Sequence, residues 1–319
     1  MLPKRVIFAA NALTSTGAGH VMRLIEISKL LPSSIEKVFV GSVDLPWVKE
    51  LLGQPFPTQY SRLDGAFGRH DVVVIDSYDL VFCEQVAAHS LETTVVQIAD
   101  RYTPLLANSL IIFMDLPFNV ESESVKRRII AHGIQFLPTR KLNSLDKKIK
   151  PRAKRVLVTT GGMVDSRIFS QLVNELTKDM YQEIDFHFIG VPDSHFQTNH
   201  NLIFHNFGID FDLIAQSCDT AITTAGTTMW SFLANNLIIG VSAIVENQKR
   251  NFSHVVNSKH ALPLFDIDNT SLDVQVLRKL LFDETLRQNL SGAISGKYDT
   301  LGASRVCNLL LKIYEEGIL

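Results

Sequence analysis

Short apolar runs alternate with amphipathic stretches along the whole chain. The first run, over 5–10, reads as a strand, and over 20–31 the residues Val21, Leu24, Ile25, Ser28 and Leu31 share one face of a helix. The same reading predicts strands over 37–41, 71–76, 93–98 and 110–113, with helices over 45–52 and 82–91. The run over 71–76, Asp71-Val72-Val73-Val74-Ile75-Asp76, is nearly continuous in apolar residues, as in a strand buried on both faces of a parallel sheet. A polar and basic stretch follows, and the pattern restarts beyond it. Strands are predicted over 155–160, 184–190, 202–205, 220–223, 237–241 and 262–265, and helices over 166–178, 211–217, from 229, over 272–288 and over 304–318. Alternating strands and helices imply parallel sheets, so the chain reads as α/β with domains 1–142 and 156–319 and a linker over 143–155. The last helix can pack back on the first domain.

Composition narrows this picture. A 46% hydrophobic and 20% charged chain of 319 residues has material for two well-packed cores. A net charge of -2 and a pI near 6.6 give no electrostatic case for a nucleic-acid partner. The basic run over 147–155 reads either as a solvated linker face or as a functional patch. Cys83, Cys218 and Cys307 are far apart, with neither metal spacing nor a disulfide framework, which fits a reducing compartment. His132, His195, His205 and His254 have no partners at metal-ligand spacing. No signal-peptide pattern precedes the first strand, and no apolar run reaches the roughly 20 residues of a membrane span. A cytoplasmic protein without an integral membrane segment is expected.

The candidate chemistry lies in loops after strands. Thr14-Ser15-Thr16-Gly17-Ala18-Gly19 leads into His20, where a helix begins. Glycines let a backbone approach a ligand, a helix start favours an anion, and a histidine there can act as a base near neutral pH. The same loop also describes a turn that binds nothing, with a capping histidine. A dinucleotide fingerprint is absent, because Gly17 lies well beyond the strand and Met22 stands where the third glycine belongs. No Gly-Lys-Ser or Gly-Lys-Thr makes a P-loop. A second loop, Thr223-Thr224-Ala225-Gly226-Thr227-Thr228, opens into a helix that Thr227 or Thr228 can cap, and its hydroxyls and amides suit a diphosphate. Gly161-Gly162 follows the same logic more weakly. Asp76 and Tyr78 end a strand and can orient a sugar or His20, or Asp76 can serve as a helix cap or structural hydrogen-bond partner. Trp230 reads as core.

Gly17-Ala18-Gly19-His20-Val21-Met22-Arg23, Ile75-Asp76-Ser77-Tyr78, Val158-Thr159-Thr160-Gly161-Gly162, Ala225-Gly226-Thr227-Thr228-Met229-Trp230 and Asn247-Gln248 occur here in one order. This order resembles the UDP-sugar hydrolase of pseudaminic acid biosynthesis and its relatives in spore-coat polysaccharide synthesis. More distantly it resembles the N-acetylglucosaminyl transferase of peptidoglycan assembly. Gly133-Ile134-Gln135-Phe136-Leu137-Pro138 followed by Arg140 also looks like that family's segment before its domain crossover. The resemblance implies the GT-B architecture: two Rossmann-like domains facing across a cleft, nucleotide on the second and acceptor side on the first. It implies that His20 activates water against the anomeric carbon with inversion and release of UDP, with Tyr78 near the substrate and Asn247 in the active site. Thr227 and Thr228 would hold the diphosphate. Gly17, Gly19, Arg23, Asp76, Gly161, Gly162, Ala225, Gly226, Ser231 and Gln248 are the further substrate and nucleotide contacts it implies. No metal and no cofactor is expected, since a helix N-terminus can stabilise the leaving group. The chain departs from the pattern at Ser231, where the family carries a ribose-binding carboxylate, and at Asp165, which stands later after the glycines. Glu246 is a candidate substitute for that carboxylate.

The expected function is therefore hydrolysis of a UDP-linked deoxyamino sugar in nonulosonic acid or surface polysaccharide synthesis. The alternative on the same fold is glycosyl transfer from a UDP- or CMP-activated sugar to a surface glycan acceptor. A non-catalytic nucleotide-sugar binder is the third reading, motivated by Ser231. The expected partners are a nucleotide sugar and a glycan acceptor.

Overall fold

In a computed structural model of the chain, the described residues are 5–68, 70–90, 93–117, 119–142, 149–162, 165–190, 200–208, 211–265 and 271–316. They form two compact units, one drawn from Met1–Thr139 and Leu301–Leu319, the other from Arg140–Thr300. His195, Met163, Val164 and residues 143–148 of the expected linker lie outside the described residues. Residues 149–155 of that linker are fastened to the second unit. Lys150 pairs with Asp219, Arg152 and Lys154 with Glu183, Arg155 with Asp185, and Ala153 donates its N–H to Leu281.

The first unit runs β1 (Arg5–Ala9), α1 (Gly19–Ser28), β2 (Glu36–Val40), α2 (Pro46–Leu52), β3 (Thr58–Tyr60), β4 (Val72–Ile75), α3 (Leu80–His89), β5 (Thr94–Ala99), β6 (Leu110–Phe113), α4 (Glu123–Lys126) and β7 (Ile129–His132). Among the described residues its parallel sheet has the order β3-β2-β1-β4-β5-β6-β7. β4 is buried along its whole length, which is why its sequence is an unbroken apolar run. Asp79 caps α3 by accepting the N–H of Phe82 at 3.2 Å. The chain moves outward from β1 in one direction and resumes at β4 on β1's other side. That reversal opens a crevice between the carboxyl ends of β1 and β4, where open α/β sheets bind ligands.

The second unit runs β8 (Arg155–Thr159), α5 (Ser166–Leu176), β9 (Asp185–Ile189), β10 (Leu202–His205), α6 (Phe211–Ser217), β11 (Thr220–Thr224), α7 (Thr227–Ala234), β12 (Ile238–Ser242), α8 (Lys249–Asn257), β13 (Leu262–Phe265), α9 (Val274–Phe282) and α10 (Glu284–Ile294). Its parallel sheet has the order β10-β9-β8-β11-β12-β13, with the reversal between β8 and β11. Phe169, Leu172, Tyr181, Phe186 and Phe188 pack in its core with Leu277, Leu280 and Leu281.

Several expectations are corrected here. The helix expected over 272–288 is two helices, because the Asp283 carboxylate accepts the N–H of Leu286 and starts α10. α7 begins at Thr227 rather than 229, and α8 over Lys249–Asn257 was not among the expected helices. The edge strands β3 and β7 were not visible in the hydrophobic pattern.

The chain returns to the first unit in α11 (Gly302–Glu316), which packs on α1. Its first turn lies so close to the backbone of the turn beyond β7 that a Cβ on Gly302 would sit 2.0 Å from the Leu137 carbonyl oxygen. Gly302→Ala is expected to cost roughly 1–3 kcal/mol. Gly292→Ala in α10, where a Cβ meets nothing within 4 Å, is expected to stabilise by roughly 0.5–1 kcal/mol. Thermal unfolding of the two variants should move in opposite directions, and equal midpoints would refute the close-packing argument.

Candidate active site

Both sheet reversals carry the residues that the sequence singles out. In the first unit, the loop after β1 closes on itself through Gly17 N–H to Leu13 O at 2.7 Å, and Gly17 takes the left-handed φ of 77° that favours glycine. Gly19 has no such constraint. A Cβ there would meet nothing within 4 Å, so its bare backbone leaves open space beside the helix start. α1 has no side-chain cap at its N-terminus.

His20 and Arg23 stand three residues apart on α1 and so project from one face, where both reach the Asp76 carboxylate beyond β4. His20 Nδ1 lies 2.6 Å from Asp76 Oδ1, while Arg23 donates from Nε to Oδ2 at 2.7 Å and from Nη2 to Oδ1 at 2.6 Å. Asp76 is 1% exposed. Burial opposes its charge, but Arg23 and then His20 outweigh it and hold the carboxyl at about 2. Burial likewise opposes the Arg23 charge, and Asp76 overcomes it and raises the guanidinium. Arg23 Nη2 also lies 2.8 Å from His20 Nδ1. The carboxylate can only accept, so with the Nδ1 proton turned toward Asp76 the neutral ring leaves Nε2 as the acceptor. Asp76 caps no helix; its carboxylate bonds to both Arg23 and His20.

Tyr78 meets His20 edge to face, with ring centroids 4.5 Å apart at 89°. Its hydroxyl donates a short hydrogen bond to Asp100, which follows β5. Tyr78 as a whole is 38% exposed, but desolvation around its hydroxyl, with Asp100 adding against the opposing pull of Arg23, raises the phenol above the ordinary tyrosine range. Asp100 was not singled out from sequence as a site residue. Its position at a strand's carboxyl end was the available signal.

In the second unit, Gly161 and Gly162 follow β8, while Ala225, Gly226, Thr227 and Thr228 follow β11. The two helix starts differ in a way that decides which can take an anion. The Asp165 side chain accepts the N–H groups of Arg167 and Ile168 at 2.9 and 3.3 Å, so the α5 start already holds a carboxylate. At α7 the N-cap is Gly226 and no side chain caps the helix. Thr227 and Thr228, expected as possible caps, sit instead in its half-buried first turn. The α7 start is therefore the one of this pair whose amides are left for a ligand.

Gln248 closes beside that loop, accepting Ile244 N–H at 3.0 Å and placing Nε2 3.5 Å from Thr224 Oγ1. Thr224 in turn donates to Thr160 O at 3.1 Å, which links the loops after β8 and β11. Asn247 Oδ1 is buried without a hydrogen-bond partner among the described residues. Ser231 is 5% exposed, and its hydroxyl accepts the Arg140 N–H at 3.2 Å. Expected at the nucleotide, it is taken up inside the unit. Glu246 is exposed and paired with Lys249 at 3.2 Å. Trp230 is 4% exposed and packs against Tyr298, a core position. Among the described residues no group of three or more His, Cys, Asp or Glu is placed to hold a metal ion, and no helix is long and apolar enough to cross a membrane.

No protein-family model and no curated protein sequence matches the chain. Solved structures do. The spinosyn rhamnosyltransferase complexed with thymidine diphosphate is 14% identical, with a TM-score of 0.65 over 96% of this chain and 100% of its own. The glycotransferase of kitacinnamycin is 13% identical, with a TM-score of 0.65 over 98% and 99%. A Listeria monocytogenes protein assigned as a UDP-N-acetylglucosamine 2-epimerase is 8% identical, with a TM-score of 0.64 over 99% and 98%. At these identities the likeness concerns the fold: α/β, with two parallel-sheet domains of the GT-B class.

Proposed function

We propose that the chain is an enzyme that transfers a glycosyl group from a nucleoside-diphosphate sugar to an acceptor hydroxyl. The observation that carries this is the Asp76–His20 pair at 2.6 Å, which leaves Nε2 of His20 as the acceptor for a proton. In this reading, His20 Nε2 takes the proton of the acceptor hydroxyl as its oxygen bonds to the anomeric carbon. The bond from that carbon to the diphosphate breaks, and the nucleoside diphosphate departs with the bonding electron pair. A single displacement of this kind inverts the anomeric carbon. Asp76 stabilises the imidazolium that forms, and Tyr78 fixes the ring.

Transfer is favoured over the hydrolysis expected from sequence. The structures that share the fold include enzymes described as glycosyltransferases, one of them with a bound nucleoside diphosphate.

Reading the uncapped start of α7 as a diphosphate-binding site makes a prediction with two opposite signs. A Cβ on Gly226 has room, its nearest neighbour being Gln248 Nε2 at 3.8 Å. Gly226→Asp gives α7 a capping carboxylate like that of α5, which should leave the fold at least as stable as the wild type. The same carboxylate occupies the anion site, so calorimetry should show affinity for UDP or TDP reduced by roughly tenfold or more. Undiminished nucleotide affinity in this variant would overturn the assignment to α7.

A further inference from the structure

Asp76 and Asp100 occupy matching places, each just past the carboxyl end of its strand, and those strands, β4 and β5, are paired neighbours. Their charges are used differently. Both oxygens of Asp76 accept from Arg23, at 2.6 and 2.7 Å, so this carboxylate is already balanced before His20 takes a proton. Asp100 has no cation bonded to it among the described residues. Its Oδ1 accepts the Tyr102 N–H at 2.9 Å and the Thr103 hydroxyl at 3.2 Å, and the Thr103 oxygen accepts the Asp100 N–H at 2.9 Å. These bonds fix the carboxylate within its own turn and account for Oδ1. The partner of Oδ2 is the hydroxyl of Tyr78, whose ring stands edge to face with His20. The Tyr78 side chain is partly open to solvent, so this bond is the polar anchor for its ring.

We propose that Asp100 is a positioning residue for His20, acting through Tyr78: it anchors the phenol that sets the imidazole plane and supplies the negative charge that the imidazolium needs. This rests on the transfer reading for the step in which His20 is protonated. Arg23, Asp76 and Asp100 bring one positive and two negative charges around a neutral His20. The proton taken from the acceptor hydroxyl makes that cluster neutral. With Arg23 and Asp76 alone, the same proton would leave an unbalanced positive charge in a largely buried site, where it is costly. A group that favours the imidazolium over the neutral ring lowers the barrier without tightening substrate binding.

Two variants and their combination test this. Asp100→Asn keeps the side chain's shape and removes its charge, and Tyr78→Phe keeps the ring and removes the hydroxyl. Each should lower kcat by roughly tenfold while leaving the KM for the nucleotide sugar close to that of the wild type. The double variant should be no slower than either single one, because both substitutions remove one coupled interaction. A second readout needs no turnover. In 1H–13C spectra of the histidine rings, with the His20 signals assigned by their loss in His20→Ala, both single substitutions should shift those signals. A purely structural Asp100 would lower the unfolding midpoint and leave them in place. Unmoved His20 signals in Asp100→Asn, or losses in kcat that multiply in the double variant, overturn the proposal. If the wild-type protein glycosylates no acceptor, the transfer reading falls, and the ring signals still decide whether Asp100 positions His20.

Discussion

His20→Ala is expected to lower kcat by roughly 10²–10⁴-fold while leaving nucleoside-diphosphate affinity close to that of the wild type. The two halves of this expectation come from different elements. His20 belongs to the β1–β4 crevice of the first unit, and the uncapped α7 belongs to the second. Removing the imidazole removes the acceptor for the hydroxyl proton, an interaction needed in the transition state, so kcat and kcat/KM should fall together. The side chain is 13% exposed and its partner carboxylate retains Arg23, so the fold should survive. Initial rates with calorimetric titration of UDP or TDP check both halves. Wild-type turnover in the variant would remove His20 from the mechanism.

Substitution of Asp76 has the largest expected effect on stability. Asp76→Ala leaves the Arg23 charge buried without its partner, which typically costs 3–5 kcal/mol. Asp76→Asn keeps the shape but loses the charge, and it no longer forces the Nδ1 proton on His20, so activity should fall by orders of magnitude. The pH dependence has a definite sign. The folded carboxyl is held at about 2, below its ordinary value of 3.8, so it contributes stability above the ordinary value and loses it as pH falls through the folded one. The amount is about 2 kcal/mol. Wild-type stability should therefore decline between about pH 4 and 2 more steeply than that of Asp76→Asn, measured by urea unfolding at each pH. Parallel curves would contradict the charge balance at Asp76.

The strands of both sheets were legible because central parallel strands are buried on both faces, as Val72–Ile75 shows. β3, Thr-Gln-Tyr at a sheet edge, carries no such run, so its pairing with β2 was invisible. The break at Asp283 was hidden because the apolar spacing continues on either side of it, and only the cap geometry ends one helix and starts the next. At the site, sequence alone marked His20 at a helix start and Asp76 and Tyr78 at a strand end. It did not show that Arg23 shares the Asp76 carboxylate, since that contact joins positions 53 residues apart. Nor could it distinguish the glycine loops after β8 and β11. That distinction depends on whether a nearby carboxylate folds back on the helix start, as Asp165 does at α5 and nothing does at α7.

The most direct test of the account follows UDP- and TDP-linked sugars by real-time NMR with wild-type protein and His20→Ala, each with and without a panel of hydroxyl-bearing sugar acceptors. Base-assisted transfer predicts that nucleoside diphosphate and a new inverted glycoside appear together, only with acceptor present and only with His20 in place. Release of free sugar at the same rate without acceptor, or an unchanged rate in His20→Ala, would contradict it.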